Sequence, residues 1–291
     1  MNYKPSYFLD DSLAKLMLKK KRQTVKRFYR SGTLDSENIT ACLTSKNIFT
    51  RISGDNRRGE CHILLDCSGS TYHQVNRDEC GDDDYKEITR LHLIMASGMQ
   101  MARYLSRFFK VKMTFFKHDV LPMFEIPKGI LPEQFADFIV GIIEGAERGS
   151  THRRTEQLLR FLKLDQRHAV KIDNFLNDCA NDAPNAIKES IKIVERNHSK
   201  SLIVAICDGD PYATYEQDNI NKMKNFQKKH EVVFSVIDGK NSIESQMEDV
   251  RKFENEHGIK TATTTDGGAL ETGGGMLINN TLLKILESLN N

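Results

Sequence analysis

The segment Ile63-Leu64-Leu65-Asp66-Cys67-Ser68-Gly69-Ser70 constrains the fold more than any other stretch of the chain. An apolar run of strand length reads as a buried β-strand, and this one stops abruptly in small oxygen-bearing residues. Asp-x-Ser-Gly-Ser at a strand end presents a carboxylate and two hydroxyls on one side of a tight loop, a donor set that suits a hard divalent cation. Gly69 is read as the residue that lets the backbone turn without a Cβ clash. Such a cation keeps a coordination position for water or for a partner's carboxylate. The pattern therefore points to metal-dependent binding rather than to a catalytic centre.

From Cys61 onward, strand and helix patterns alternate, which predicts a doubly wound, mostly parallel α/β sheet of Rossmann-like type. Strand 61–66 is followed by a helix near 85–109, with Ile88, Leu91, Ile94, Met95, Met99, Ala102 and Leu105 at helical spacing. Strand 111–116, a short strand near 121–126 and helical stretches at 132–146, 153–163 and 171–179 come next. Pro184 suits the first turn of a helix over 184–197. Strand 202–207, helix 216–229, strand 231–237, helix 242–257, strand 259–264 and helix 276–289 complete the wind. The Gly-rich stretch from Gly267 to Gly275 reads as a flexible loop, since no Lys-Ser/Thr follows to make it a phosphate cradle. Ahead of the sheet, residues 10–31 read as a basic amphipathic helix stopped by Ser31-Gly32, and Ser36 opens a short second helix. The expected organisation is a basic helical extension over 1–58 and an α/β domain over 59–291, with an insertion at about 129–180.

A chain of 291 residues is long enough for one large α/β domain or two smaller ones, and its 39% hydrophobic and 28% charged content predicts a folded soluble protein rather than a disordered one. The net charge of +2 is too small to imply a nucleic-acid partner or an acidic substrate. The basic segment Lys19 to Arg30 could meet nucleic acid or an acidic partner surface, with a solvated helix face as the bland alternative, and Phe28 and Tyr29 make no stacking platform without a sheet beneath them. No apolar run reaches the length of a membrane span and the N-terminus lacks a signal pattern, so a cytoplasmic location is expected, with no membrane partner. Cys42, Cys61, Cys67, Cys80, Cys179 and Cys207 form no Cys-x-x-Cys pair and read as free thiols in a reducing compartment.

In open α/β sheets, ligands bind outside the carboxyl ends of the strands, where the winding direction changes. Three loops offer oxygen donors there: Asp66, Ser68 and Ser70; Asn181 and Asp182 before helix 184–197; and Asp208 after strand 202–207, where Gly209 allows a sharp exit. Carboxylates and hydroxyls without a histidine pair suit Mg²⁺, with Mn²⁺ or Ca²⁺ as alternatives. Any one of these residues alone would be a helix N-cap more often than a ligand. Two strand-end aspartates together with a Ser-x-Ser pair weaken that alternative. The acidic loop 78–84 lacks the spacing of a calcium loop, and His118 and His152 read as surface histidines.

Asp66-Cys67-Ser68-Gly69-Ser70 closing a first strand, with Asp208-Gly209 closing a later one, resembles the von Willebrand factor A (VWA) domain and its metal-ion-dependent adhesion site (MIDAS). Ser31-Gly32-Thr33-Leu34-Asp35, then Phe49-Thr50-Arg51, then the Asp66 motif and Asp208-Gly209-Asp210-Pro211 stand in an order similar to the C-terminal part of the CobT subunit of aerobic cobaltochelatase. That resemblance covers the chain from about residue 14 to its end. It implies that Asp66, Ser68, Ser70 and Asp208 hold the metal. For the middle loop it implies Asp182, in a context similar to the family's Asn-x-Asp-Gly-Glu-Ala-Leu. Aligning Asn181, Ala186 and Ile187 with that pattern puts Ala183 at its Asp, and Pro184 and Asn185 replace its Gly and Glu. Thr151, in Gly149-Ser150-Thr151, is the competing residue.

The resemblance further implies a MoxR-type (CobS-type) AAA+ ATPase as partner, and a partner carboxylate that completes the metal shell. The resulting expectation is a non-catalytic adaptor. A subunit of a cobalt or magnesium chelatase acting on a tetrapyrrole is the alternative. A Mg²⁺-dependent phosphatase of the haloacid-dehalogenase kind is disfavoured, because Ser68 stands where that chemistry needs an acid/base Asp.

Overall fold

The computed structural model describes residues 25–29, 33–34, 49–52, 59–75, 88–145, 151–196, 201–208, 217–228, 230–238, 254, 258, 260–272 and 274–290. The first of these build a small antiparallel sheet of β1 (Val25–Tyr29), β2 (Thr33–Leu34) and β3 (Phe49–Ile52), in the order β1-β3-β2. The helix expected through residue 31 is therefore corrected at Val25–Tyr29, which pairs with β3. Val, Phe and Tyr favour strands wherever a partner is at hand, and here the partner lies 20 to 27 residues downstream, invisible to a local periodicity. The rest of that helix, and the one opened by Ser36, lie outside the described residues.

The main sheet contains β4 (Glu60–Asp66), β5 (Lys110–Phe116), β6 (Phe124–Glu125), β7 (Ser201–Asp208), β8 (Glu231–Asp238) and β9 (Lys260–Thr265). Its order is β6-β5-β4-β7-β8-β9; every neighbouring pair is parallel except β5 and β6. The chain winds outward from β4 to β5 and β6, then returns to β4's other side and winds outward again through β7, β8 and β9. The doubly wound expectation holds, and the direction of winding reverses between β4 and β7. β4 and β7 are buried at every position, as befits strands covered on both faces.

The helices are α1 (Arg90–Leu105), α2 (Pro132–Ile143), α3 (Thr151–Leu162), α4 (Ala169–Asn177), α5 (Ala183–Arg196), α6 (Gln217–Gln227), α7 (Asp266–Glu271) and α8 (Gly275–Asn290). On one face Cys61, Ile63 and Leu65 of β4 share a core with Leu91, Ile94 and Met95 of α1 and with Leu277, Leu282 and Ile285 of α8. The other face packs Leu64, Ile203, Ala205 and Cys207 against Ala186, Ile187 and Ile191 of α5 and Met223 of α6. The alternation along β4 is the period-2 consequence of a strand buried between two helical layers. α1 comes so close to the sheet that a Cβ on Gly98 would collide with Leu65, and to α8 that one on Gly274 would collide with Ser97.

Two further expectations change. Gly267 and Gly268 lie inside α7, whose first turn is capped by the Thr265 hydroxyl accepting the Gly268 N–H at 3.0 Å, so this part of the Gly-rich stretch is helix, not loop. The cap restores what the glycines lack in propensity. The helix expected near 85–109 is α1, which starts at Arg90 and ends at Leu105; residues 88–89 and 106–109 lie outside it, and 85–87 are outside the described residues. Helix 242–257 lies outside the described residues except for Glu254. Cys61, Cys67 and Cys207 are buried free thiols, while Cys179 is exposed; Cys42 and Cys80 lie outside the described residues. Among the described residues no helix is long and apolar enough to cross a membrane.

Candidate metal centre

Asp66 and Asp208 are the last residues of β4 and β7, side by side at the point where the winding reverses. Both are buried. The loop after β4 folds back at once into a short 3-10 turn, Gly69–Tyr72. Within it the Ser68 N–H donates to Asp66 Oδ1 at 2.8 Å, the Ser68 and Ser70 hydroxyls lie 3.1 Å apart, and Ser70 Oγ donates to Asp208 Oδ1 at 2.8 Å. Thr71 locks the turn by donating its hydroxyl to the Ser68 carbonyl at 2.7 Å. The four residues expected from the sequence at the first and third loops are thus brought together. Ser70 is exposed, so the group opens to solvent on its side.

The middle loop resolves differently. Asn181 Nδ2 donates to Asp66 Oδ2 at 2.6 Å. Asp182 instead caps α5, its Oδ1 accepting the Asn185 N–H at 2.9 Å, and its other oxygen lies 4.0 Å from His118. A carboxylate directly ahead of a helix finds unsatisfied N–H groups before it finds anything else. Thr151 is the first residue of α3, and no hydrogen bond joins it to the group. Of the candidates for this loop, Asn181 is the residue in contact with the cluster.

Gly69 meets its neighbour in a way the strand-end reading did not foresee. Its φ is not in the left-handed region; what matters is the close wall, since a Cβ there would stand 3.3 Å from Cys179 Cβ, and its N–H donates to the Cys179 carbonyl at 3.0 Å. The Asp178–Cys179 turn is braced from beneath by Lys117, the residue after β5. Its buried ammonium donates to the Asp178 carbonyl at 2.6 Å and lies 5.2 Å and 5.8 Å from the ring centroids of Phe175 and Tyr72. Burial pulls the Lys117 ammonium below its ordinary value. Arg90, the first residue of α1, closes the other side: Nη1 reaches Asp208 Oδ2 at 3.5 Å, while Nε and Nη2 grip Asp266 at 2.7–3.1 Å. Neither Lys117 nor Arg90 has a signal in the sequence, because each acts across elements far apart in the chain.

Burial and the neighbouring Asp208 push Asp66 up to about 7, although the Ser68 and Asn181 bonds work against this. Burial also raises Asp208, with Ser70 and Arg90 opposing. The two carboxylates stand desolvated on adjacent strands, and burial works against ionising both at once. Among the described residues no three His, Cys, Asp or Glu side chains gather into a metal-binding group, so any donor set here is two carboxylates supplemented by hydroxyls; Asn181 turns its Nδ2 to Asp66 while its Oδ1 accepts the Ala183 N–H at 3.1 Å. Carboxylates and hydroxyls are hard oxygen donors, the kind that a divalent cation such as Mg²⁺ prefers.

Compared with protein-family models and with curated proteins, the sequence finds no match. Among solved structures, the chain is similar to the PilB minor pilin from Streptococcus sanguinis, with 10% identity over 83% of this chain and 64% of that one and a TM-score of 0.42. A von Willebrand factor type A protein from Catenulispora acidiphila matches at 8% identity over 77% of this chain and 43% of that one, with a TM-score of 0.41. The SpRpn10 VWA domain matches at 10% identity over 74% of this chain and 94% of that one, with a TM-score of 0.36. The chain spans less than two thirds of the length of the first two. At these scores the fold assignment rests on the strand order and register described above.

Proposed function

We propose that this chain is a metal-dependent protein-binding module with a MIDAS-type site. Asp66, Ser68, Ser70 and Asp208 would hold Mg²⁺, with Mn²⁺ or Ca²⁺ as substitutes, and Asn181 would orient Asp66 through its 2.6 Å bond. The carrying observation is the convergence of two buried strand-end carboxylates at the winding reversal, joined by the Ser70 to Asp208 bond of 2.8 Å. Bound there, the metal supplies a Lewis-acidic position that accepts a carboxylate from another protein. The chain's own residues contribute the rest. Ser68 and Ser70 offer neutral oxygens, which leave the cation short of negative charge and receptive to an acidic partner.

The resemblance to CobT proteins makes a MoxR-type AAA+ ATPase the partner to test first, with this chain as its adaptor; a chelatase-subunit role is the same site used in a larger assembly. A phosphatase is a poorer reading, because the Ser68 hydroxyl is bonded to Ser70 and has no proton to exchange near neutral pH.

The test is affinity capture from a cell extract with Mg²⁺ and with EDTA, read by mass spectrometry, using wild type, Asp66→Ala and Asp208→Ala. Partners held by wild type in Mg²⁺ and lost in EDTA and in both variants, with circular dichroism unchanged, support the reading. Recovery of the same proteins from wild type and Asp66→Ala overturns it.

A further inference from the structure

The geometry points to Arg90 as a built-in counter-cation, shared between Asp208 of the metal centre and Asp266 of α7, whose position sets the affinity of that centre for metal. This rests on the metal-site reading and concerns what regulates it.

Arg90 is the first residue of a sixteen-residue helix, where the macrodipole disfavours a positive charge. Something must hold it there, and two carboxylates do. Nε and Nη2 make three contacts with Asp266, at 2.9, 3.1 and 2.7 Å, whereas Nη1 makes one contact of 3.5 Å with Asp208. The division is unequal: the guanidinium is docked on Asp266 and only leans on Asp208. All three side chains are largely withdrawn from water, at 17%, 13% and 0% exposure for Arg90, Asp266 and Asp208, so their charges are weakly screened. Asp208 Oδ2, the oxygen not bonded to Ser70, is the one that Arg90 approaches.

Arg90 and a divalent cation thus draw on the same carboxylate. By holding the guanidinium, Asp266 keeps Asp208 available to the metal; without Asp266, the fork would settle fully onto Asp208. Because Asp266 opens α7 directly after β9, the affinity of the centre is tied to the β9–α7 junction, two strands away from β7. Arg90 and Asp266 are positioning residues, acting through Asp208.

Isothermal titration calorimetry of MgCl₂ into the full chain tests this with wild type, Asp66→Ala, Arg90→Gln, Asp266→Asn and the Arg90→Gln/Asp266→Asn double variant, each checked for folding by circular dichroism. Arg90→Gln should bind about tenfold more tightly than wild type and Asp266→Asn several-fold more weakly. The double variant should match Arg90→Gln, because Asp266 acts only through the arginine. Simple addition of two independent charge effects would instead leave the double variant near wild type. That additive outcome, or Arg90→Gln binding no tighter than wild type, overturns the inference while a loss of binding in Asp66→Ala keeps the metal site. Should Arg90→Gln not fold, Asp266→Asn binding Mg²⁺ as tightly as wild type or more tightly overturns the inference. No binding by wild type and Arg90→Gln alike, or full binding by Asp66→Ala, overturns both.

Discussion

Asp66 carries two opposed demands. As a ligand of the proposed metal it would have to be ionised, yet its burial beside Asp208 favours the neutral form and raises it to about 7. A raised folded value means that the protonated carboxyl contributes stability that is fully present below the ordinary carboxyl range and lost as the pH rises through about 7. The magnesium-free protein should therefore melt at progressively lower temperature as the buffer moves from about pH 4 towards pH 7, and Asp66→Asn should flatten that slope in calorimetric scans. Magnesium affinity should run the opposite way, rising up to about tenfold per pH unit below pH 7 and levelling above it, since the cation must displace a proton. Asn181→Ala removes a donor to the ionised form. It should weaken magnesium binding at neutral pH several-fold, and calorimetry at pH 7 and pH 8.5 should show the deficit shrinking at the higher pH.

At the scale of elements, the turns around the site are held by contacts that a local reading distributes wrongly. Asp182 looks like a ligand because it is acidic and sits in the right loop, but its Oδ1 is taken by the Asn185 N–H at the start of α5. Asp182→Ala should cost about 1 kcal/mol of stability, as loss of an N-cap does, while leaving the magnesium dissociation constant unchanged. A large loss of magnesium affinity on that substitution would return Asp182 to the ligand set. Gly98 presents the converse case. Nothing in the sequence marks it as special within a helix, but α1 lies against Leu65 there, and Gly98→Ala should destabilise by about 1–3 kcal/mol through overpacking, in spite of alanine's better helix propensity. Chemical denaturation would measure both.

Across the whole molecule, the sheet order brings chemistry from distant parts of the chain to one edge. Asp66 and Asp208 are 142 positions apart in sequence and end neighbouring strands. Metal bound at such a junction would tie together both halves of the wind, so on the proposed reading saturating Mg²⁺ should raise the melting temperature in proportion to the logarithm of its excess over the dissociation constant. Asp66→Ala and Asp208→Ala should abolish the shift. An equal shift in those variants would place the ion elsewhere.

Much of this was legible from residue order. The apolar run Ile63–Leu65 and its counterpart in β7 declare buried strands, since only a strand covered on both faces can dispense with polar alternation. Their acidic and hydroxyl endings mark the candidate site, since strand ends are where a doubly wound sheet leaves donors uncovered. Local pattern therefore determined the α/β class and the succession of strands β4 to β9, and it singled out Asp66, Ser68, Ser70 and Asp208, which the fold brings together. Tertiary structure alone decided that Asn181 rather than Asp182 meets Asp66, that Val25–Tyr29 pairs as a strand, and that Arg90 stands between Asp208 and Asp266. Each of those turns on which of several competing partners a group reaches first. Partnership at that level depends on distances across the fold, a quantity that spacing along the chain does not contain.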